Sequence, residues 1–130
     1  MPSIFTRIVK GEIPCYKIGE TQNCFAFLDI YPLSKGHTLV IPKVEIDYLF
    51  DVDDELLSEL MLFSKKVAAA IKQGLNCQRI GVAVVGLEVP HAHIHLIPIH
   101  QVSDMDFSRP KLSFSEEEMK KIQKLVVSQL

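Results

Sequence analysis

The segment His91-Ala92-His93-Ile94-His95-Leu96-Ile97-Pro98 restricts the fold more than any other part of the chain. Side chains of a strand alternate between faces, so its three histidines are expected on one side. Ala92, Ile94 and Leu96 are expected on the other side, against a core. A fold that accepts this strand must bury one face and reserve the other for chemistry. Histidine seldom fills a sheet face, and imidazole changes charge near neutral pH. Three in register point to nucleophilic catalysis, phosphate binding or metal ligation.

A nucleophilic imidazole needs one ring nitrogen free while an acceptor holds the N–H of the other. His93 is central, with His91 and His95 about 7 Å away along an extended strand. Flanking imidazoles can donate to phosphate oxygens and stabilise charge that moves during transfer. Alternate strand positions can equally converge on zinc. His37 lies in a second apolar segment, where it either joins the cluster by cross-strand pairing or serves as a satisfied core histidine.

The rest of the chain supplies a frame for that strand. Its 130 residues fit one domain, residues 1–130, with enough length for a core. Residues 4–10 read as a short helical turn. Strands are expected over 15–18, 23–30, 37–41, 79–85 and 89–97. Pro32-Leu33-Ser34-Lys35-Gly36 provides turn chemistry between two of them. Residues 51–74 read as the main helix, with Asp51 and Asp53 as caps and Gly74 at its C-terminal end. Leu56, Leu60, Met61, Ser64, Val67, Ala68 and Ile71 set its helical spacing. Gly86-Leu87-Glu88 is expected to close a tight hairpin, with Pro90 at an edge or strand end. Residues 101–112 read as a surface connection. Ser115 and Glu118 form a capping box, and Phe114 with Met119 a hydrophobic staple, for a C-terminal helix. The expected fold is α+β: an antiparallel β-sheet of about five strands, one long crossover helix and a C-terminal helix.

Charge excludes some partners. Fourteen Lys and Arg stand against sixteen Asp and Glu, a formal net charge of −2. No basic stripe is present, so long nucleic acid is not an expected partner, although a small anionic ligand is compatible. No apolar run is long enough for a membrane span, and no secretory signal is visible. Cys15, Cys24 and Cys77 are odd in number and lack a C-x-x-C pair, which reads as reduced thiols in a cytoplasmic protein.

The histidine run resembles the signature of the HIT (histidine triad) nucleotide-binding superfamily. The resemblance extends through Ile4-Phe5 to Gly11-Glu12-Ile13-Pro14, Phe25-Ala26-Phe27-Leu28-Asp29-Ile30 with Pro32, and Gly36-His37-Thr38-Leu39-Val40-Ile41-Pro42-Lys43. It ends with Val89–Pro98. It covers residues 4–98 and leaves 101–130 as an extension without a mapped catalytic residue. It implies a homodimeric α+β hydrolase or transferase acting on purine nucleotides, with no cofactor. Substrates of this kind include nucleoside phosphoramidates and dinucleoside polyphosphates.

By resemblance, His93 is the nucleophile that forms a nucleotidyl-histidine intermediate. His95 binds phosphate, His91 orients His93 largely through its backbone carbonyl, and His37 supports the triad. Asp29 would accept hydrogen bonds from ribose hydroxyls, since an ionised Asp is acceptor-only. Its alternative role is that of a turn residue. Ile30, Phe27 and Phe5 would wall the base, or simply serve the core. Gly86 would offer backbone donors to phosphate.

Two departures qualify that pattern. Many active relatives carry Gly-Gln-Ser/Thr-Val before the first histidine, where this chain has Gly86-Leu87-Glu88-Val89. A carboxylate at Glu88 would repel a phosphodiester, or favour a cationic amine leaving group. Some relatives also carry an N-terminal Cys-x-x-Cys and a later His for zinc. Ser3, Thr6 and Glu45 stand near those positions, so no structural metal is expected. The competing readings are a nucleotide-binding or scaffolding protein with little turnover, and metal-dependent hydrolysis.

Overall fold

Two runs, CFAFL and TLVIP, are buried at every position, as expected of strands covered on both faces. They lie at the centre of the sheet in the computed structural model, which describes residues 1–130. In chain order the strands are β1 (Lys17–Glu20), β2 (Cys24–Leu28), β3 (Thr38–Pro42), β4 (Arg79–Ala83) and β5 (Ile94–Ile99). Their spatial order is β1-β2-β3-β5-β4, with every pair antiparallel. Because β3 and β4 both run against β5, they are parallel to each other, and a crossover must join them. The helix α2 (Asp54–Leu75) is that crossover. The α+β fold class expected from the pattern is the one observed.

The two sheet faces have different covers. Cys24, Ala26, Leu28, Val40, Ile94 and Leu96 pack with Leu60, Val67 and Ile71 of α2. Met119, Ile122 and Val126 of helix α3 (Glu116–Val127) join the same core. The other face carries Phe25, Phe27, Leu39 and Ile41, covered by Phe5 and Ile8 of the short helix α1 (Ile4–Val9). Register places Phe27 opposite Leu39, Leu39 opposite His95, and His95 opposite Ala83. That row sets the site on the α1 face. Asp29 and His37 extend the same parity beyond the ends of β2 and β3.

Local chemistry explains the helix ends. Asp53 accepts from Leu56 N–H at 2.8 Å, and Asp54 and Glu55 occupy the positive first turn of α2. Its buried stripe includes Phe63 and Ala70, whereas Met61 is exposed, a rotation from the expected spacing. Gly74 lies inside α2, and Asn76, at φ 51°, forms the left-handed cap instead. The reason is close packing: a Cβ on Gly74 would stand 2.5 Å from the Leu125 carbonyl oxygen of α3. Ser115 accepts from Glu118 N–H at 3.1 Å, while the Glu118 carboxylate accepts from Ser115 N–H at 3.2 Å. The expected capping box is therefore present.

Strand bounds need correction: the second strand ends at Leu28 rather than Ile30, and the fourth at Ala83 rather than Val85. The first strand starts at Lys17 rather than Cys15. More consequentially, β5 starts at Ile94, so His91 and His93 precede the strand. Residues 84–93 form a long connection in place of the expected tight hairpin. Pro90 has no N–H to give a ladder. His91 N–H turns back to Val89 O at 2.8 Å, and Ala92 N–H bonds Ile46 O at 2.7 Å. The backbone is thereby drawn out of the sheet just before the central histidine.

Candidate active site

The bend before β5 separates the three histidines. His93 and His95 line two adjoining cavities, whereas His91 lines neither. His91 stays on the α1 side, its ring centroid 5.8 Å from that of Phe5, but it is packed beneath α1 and reaches neither cavity. Its ring is fully buried, held between Ser3 Oγ at 2.8 Å from Nδ1 and Pro42 O at 2.8 Å from Nε2.

Backbone atoms determine which nitrogen of each ring carries a proton. Pro42 O only accepts, so His91 Nε2 donates and His91 Nδ1 accepts from the Ser3 hydroxyl. His91 O also only accepts, so His93 Nδ1–H donates to it at 2.8 Å. The His93 Nε2 lone pair is left free. Leu33 N–H donates to His37 Nδ1 at 3.0 Å, which puts the His37 proton on Nε2. That proton points to His95 Nδ1 at 2.9 Å, leaving His95 Nε2–H as a donor for the cavities this ring lines. Four neutral rings thus present one lone pair and one N–H to a ligand.

Burial keeps the rings neutral. It lowers His37 to about 3, aided by repulsion from His95, Lys111 and His93. It lowers His95 to about 4, aided by His93 and Lys111. His91 and His93 are also lowered, chiefly by desolvation. Glu88 and the His91 carbonyl oppose that shift at His93 by favouring its cation. Burial raises Asp29. Its Oδ1 accepts Tyr31 N–H at 2.9 Å, and its Oδ2 lies 3.7 Å from His37 Nε2.

The two cavities differ in character. One is mainly apolar, walled by Phe5, Ile8, Phe27, Ile30 and Leu39, with Asp29 at its margin. The other contains Tyr31, Val85, Gly86, Leu87, Glu88, Phe107 and Lys111. Asp29, Tyr31, Glu88, His93 and His95 belong to both. Every residue proposed from the sequence except His91 lines at least one cavity. Gly86 adopts φ 77°, a conformation that favours glycine in this connection.

Sequence reasoning missed the tail. Residues 101–112 hold no repeat or motif, yet the Phe107 ring stands edge-on to His95 at a centroid distance of 4.8 Å. Lys111 Nζ donates to Phe107 O at 2.7 Å and lies over the Phe107 ring. The only available signal was a Phe and a Lys four residues apart in a segment of mixed polarity. Cys15 was also missed as a wall of the apolar cavity, and burial raises its thiol pKa.

Asp29, His37 and His95 bring one ligand atom each within 4.8 Å of one another, a metal-compatible spacing. A metal there would have to displace the His37 Nε2 proton and break the bond to His95. The arrangement fits a proton-ordered relay better. Around His91, Glu45 accepts from Ser3 N–H at 2.6 Å and from the Thr6 hydroxyl at 2.7 Å. Ser3, Thr6, Glu45 and His91 thus form one hydrogen-bonded set.

The HIT domain family model matches residues 10–102. The chain belongs to the HIT domain family. Among HIT relatives, an adenosine 5'-monophosphoramidase of Schizosaccharomyces pombe is 36% identical over 132 residues, covering 100% of this chain and 99% of that protein. An adenosine 5'-monophosphoramidase of Saccharomyces cerevisiae is 43% identical over 96 residues, covering 73% of this chain. The match spans 61% of that yeast protein's length. A solved structure from Bartonella henselae, a Hit-like protein involved in cell-cycle regulation, superposes with a TM-score of 0.84 at 29% identity. It covers 98% of this chain and 96% of the other. The HIT match ends before Phe107 and Lys111, so the family pattern does not account for those two cavity residues.

Proposed function

We propose that this chain is a nucleotidyl hydrolase of the HIT type that acts on purine nucleoside phosphoramidates through a covalent intermediate on His93. The carrying observation is the His93 Nδ1–H bond to His91 O, on a ring that borders both cavities. It leaves the opposite nitrogen unprotonated and available to phosphorus. The apolar cavity receives the base between Phe5, Phe27 and Ile30, while Asp29 accepts ribose hydroxyls. His95 Nε2–H donates to a non-bridging phosphate oxygen, and the backbone at Gly86 supplements it. The relatives' activity on adenosine 5'-monophosphoramidate supports the same substrate class.

In the first step, the His93 Nε2 lone pair forms a bond to the α-phosphorus and the P–N bond to the amine breaks. The departing nitrogen takes a proton from solvent and leaves as an amine. The imidazole becomes cationic, and its Nδ1–H bond to His91 O strengthens with that charge. Glu88 also favours the cation. Water then attacks phosphorus, the P–Nε2 bond breaks, and its electron pair returns to neutral His93. A water proton passes to solvent, and a nucleoside monophosphate is released.

Brief incubation with adenosine phosphoramidate should give an intact-protein mass increase of one adenylyl group. His93→Ala should abolish the adduct and lower turnover by about 10³-fold or more. An unchanged adduct in that variant would place the nucleophile elsewhere. Tight binding without product would favour the scaffold reading. Loss of turnover after chelation, with recovery on metal addition, would favour metal-dependent hydrolysis.

We further propose a cytoplasmic homodimer built on β4. This edge strand and the connection after it expose Val82, Val84, Val85 and Leu87, the last at 89%. Pairing two copies would cover an apolar edge that is otherwise open to other strands. Light scattering should give a dimer mass that Val82→Asp shifts toward monomer. A monomer at all working concentrations would overturn this assembly.

A further inference from the structure

We infer that the tail segment Phe107–Lys111 selects the leaving group, with Lys111 recognising a negative charge on it. This rests on the hydrolase reading above. The apolar cavity and Asp29 take the nucleoside, and His93 and His95 stand at the junction. The group beyond phosphorus must then enter the second cavity. Among the residues lining that cavity, Lys111 is the only lysine or arginine. Its histidines are neutral at physiological pH, and Asp29 is committed to ribose. The remaining charged pair is Glu88 and Lys111, of opposite sign. A carboxylate near His93 suits a departing amine, while an ammonium near His95 suits an acidic group on that amine. The favoured class is a nucleoside phosphoramidate whose amine also bears a carboxylate.

The tail is held for this task at several points. Leu112 N–H donates to Pro32 O at 2.8 Å, and Arg109 donates to Asp104 O at 3.2 Å. Asp106 Oδ1 accepts from Ser108 N–H at 2.9 Å. Lys111 spends one N–H on Phe107 O and keeps two others for a ligand. An ammonium positioned in advance loses less entropy on binding than a free surface lysine.

The test uses two adenosine 5'-phosphoramidates, one with a carboxymethyl group on nitrogen and one with the neutral carbamoylmethyl group. They share the nucleoside, the scissile bond and nearly the same shape. The readout is the acid-to-amide ratio of kcat/KM. Lys111→Met should lower that ratio about fivefold, the upper end for one solvent-exposed ion pair. Lys111→Glu should lower it further, and high salt should narrow the wild-type ratio. A ratio that neither variant nor salt changes would overturn charge selection by Lys111. The hydrolase reading itself fails differently: wild type turns over neither compound, or His93→Ala retains turnover of both. Either of those results would remove both proposals.

Discussion

The His91 and His95 ends of the triad are built in opposite ways. At the His91 end, a hydroxyl and a carbonyl consume both ring nitrogens, and only the backbone carbonyl reaches His93. At the His95 end, a second imidazole consumes one nitrogen and leaves the other as a donor. One side presents a fixed acceptor to His93; the other presents a fixed donor to the cavities. Three identical side chains can therefore have unlike roles because their partners differ, even though they alternate regularly along the chain.

The strongest test of that asymmetry is a matched pair of substitutions. His95→Asn keeps an acceptor near the Nδ1 position for His37 but does not extend to the place of Nε2. Turnover should fall by about 10²–10³-fold, the usual effect of removing one transition-state donor. Ser3→Ala removes both the α1 cap and the His91 partner. It should destabilise the fold by about 1 kcal/mol with a far smaller effect on turnover. Steady-state kinetics beside denaturant unfolding checks both. Equal kinetic losses would mean that the two ends act alike.

Acid should sharpen the comparison more gently. His37 and His95 are lowered to about 3 and about 4 in the folded protein, so the unfolded chain binds more protons below its ordinary histidine value of about 6.5. Their contribution to stability is complete above about pH 6.5 and declines as pH falls toward 4. Asp29, raised in the folded state, opposes this over the carboxylate range. The thermal midpoint should drop between pH 6.5 and 4, and His37→Asn should flatten that drop. A midpoint independent of pH across this interval would contradict the neutral relay.

Much of this was legible in the sequence because the signals were local. Ser115 and Glu118 announced a cap, and the alternation of His93 and His95 announced one face. His91 and His93 were read as strand because their alternation continued while Pro90 and two non-ladder hydrogen bonds took the backbone out of the sheet. Gly74 misled because glycine serves close helix packing as readily as a left-handed cap. Phe107 and Lys111 were illegible because their place depends on contacts with residues far away in the chain, including Pro32. No periodicity records such contacts.

The turn at Pro32 and Leu33 has a dual attachment: Leu33 N–H fixes His37, and Pro32 O anchors the tail through Leu112. Catalytic proton order and the outer wall are thus moored to adjacent residues, but through different atoms. A replacement tail that preserves the Pro32 tether can carry a new set of side chains to the histidines while leaving their tautomers intact. Substrate range can diversify here without dismantling the chemistry.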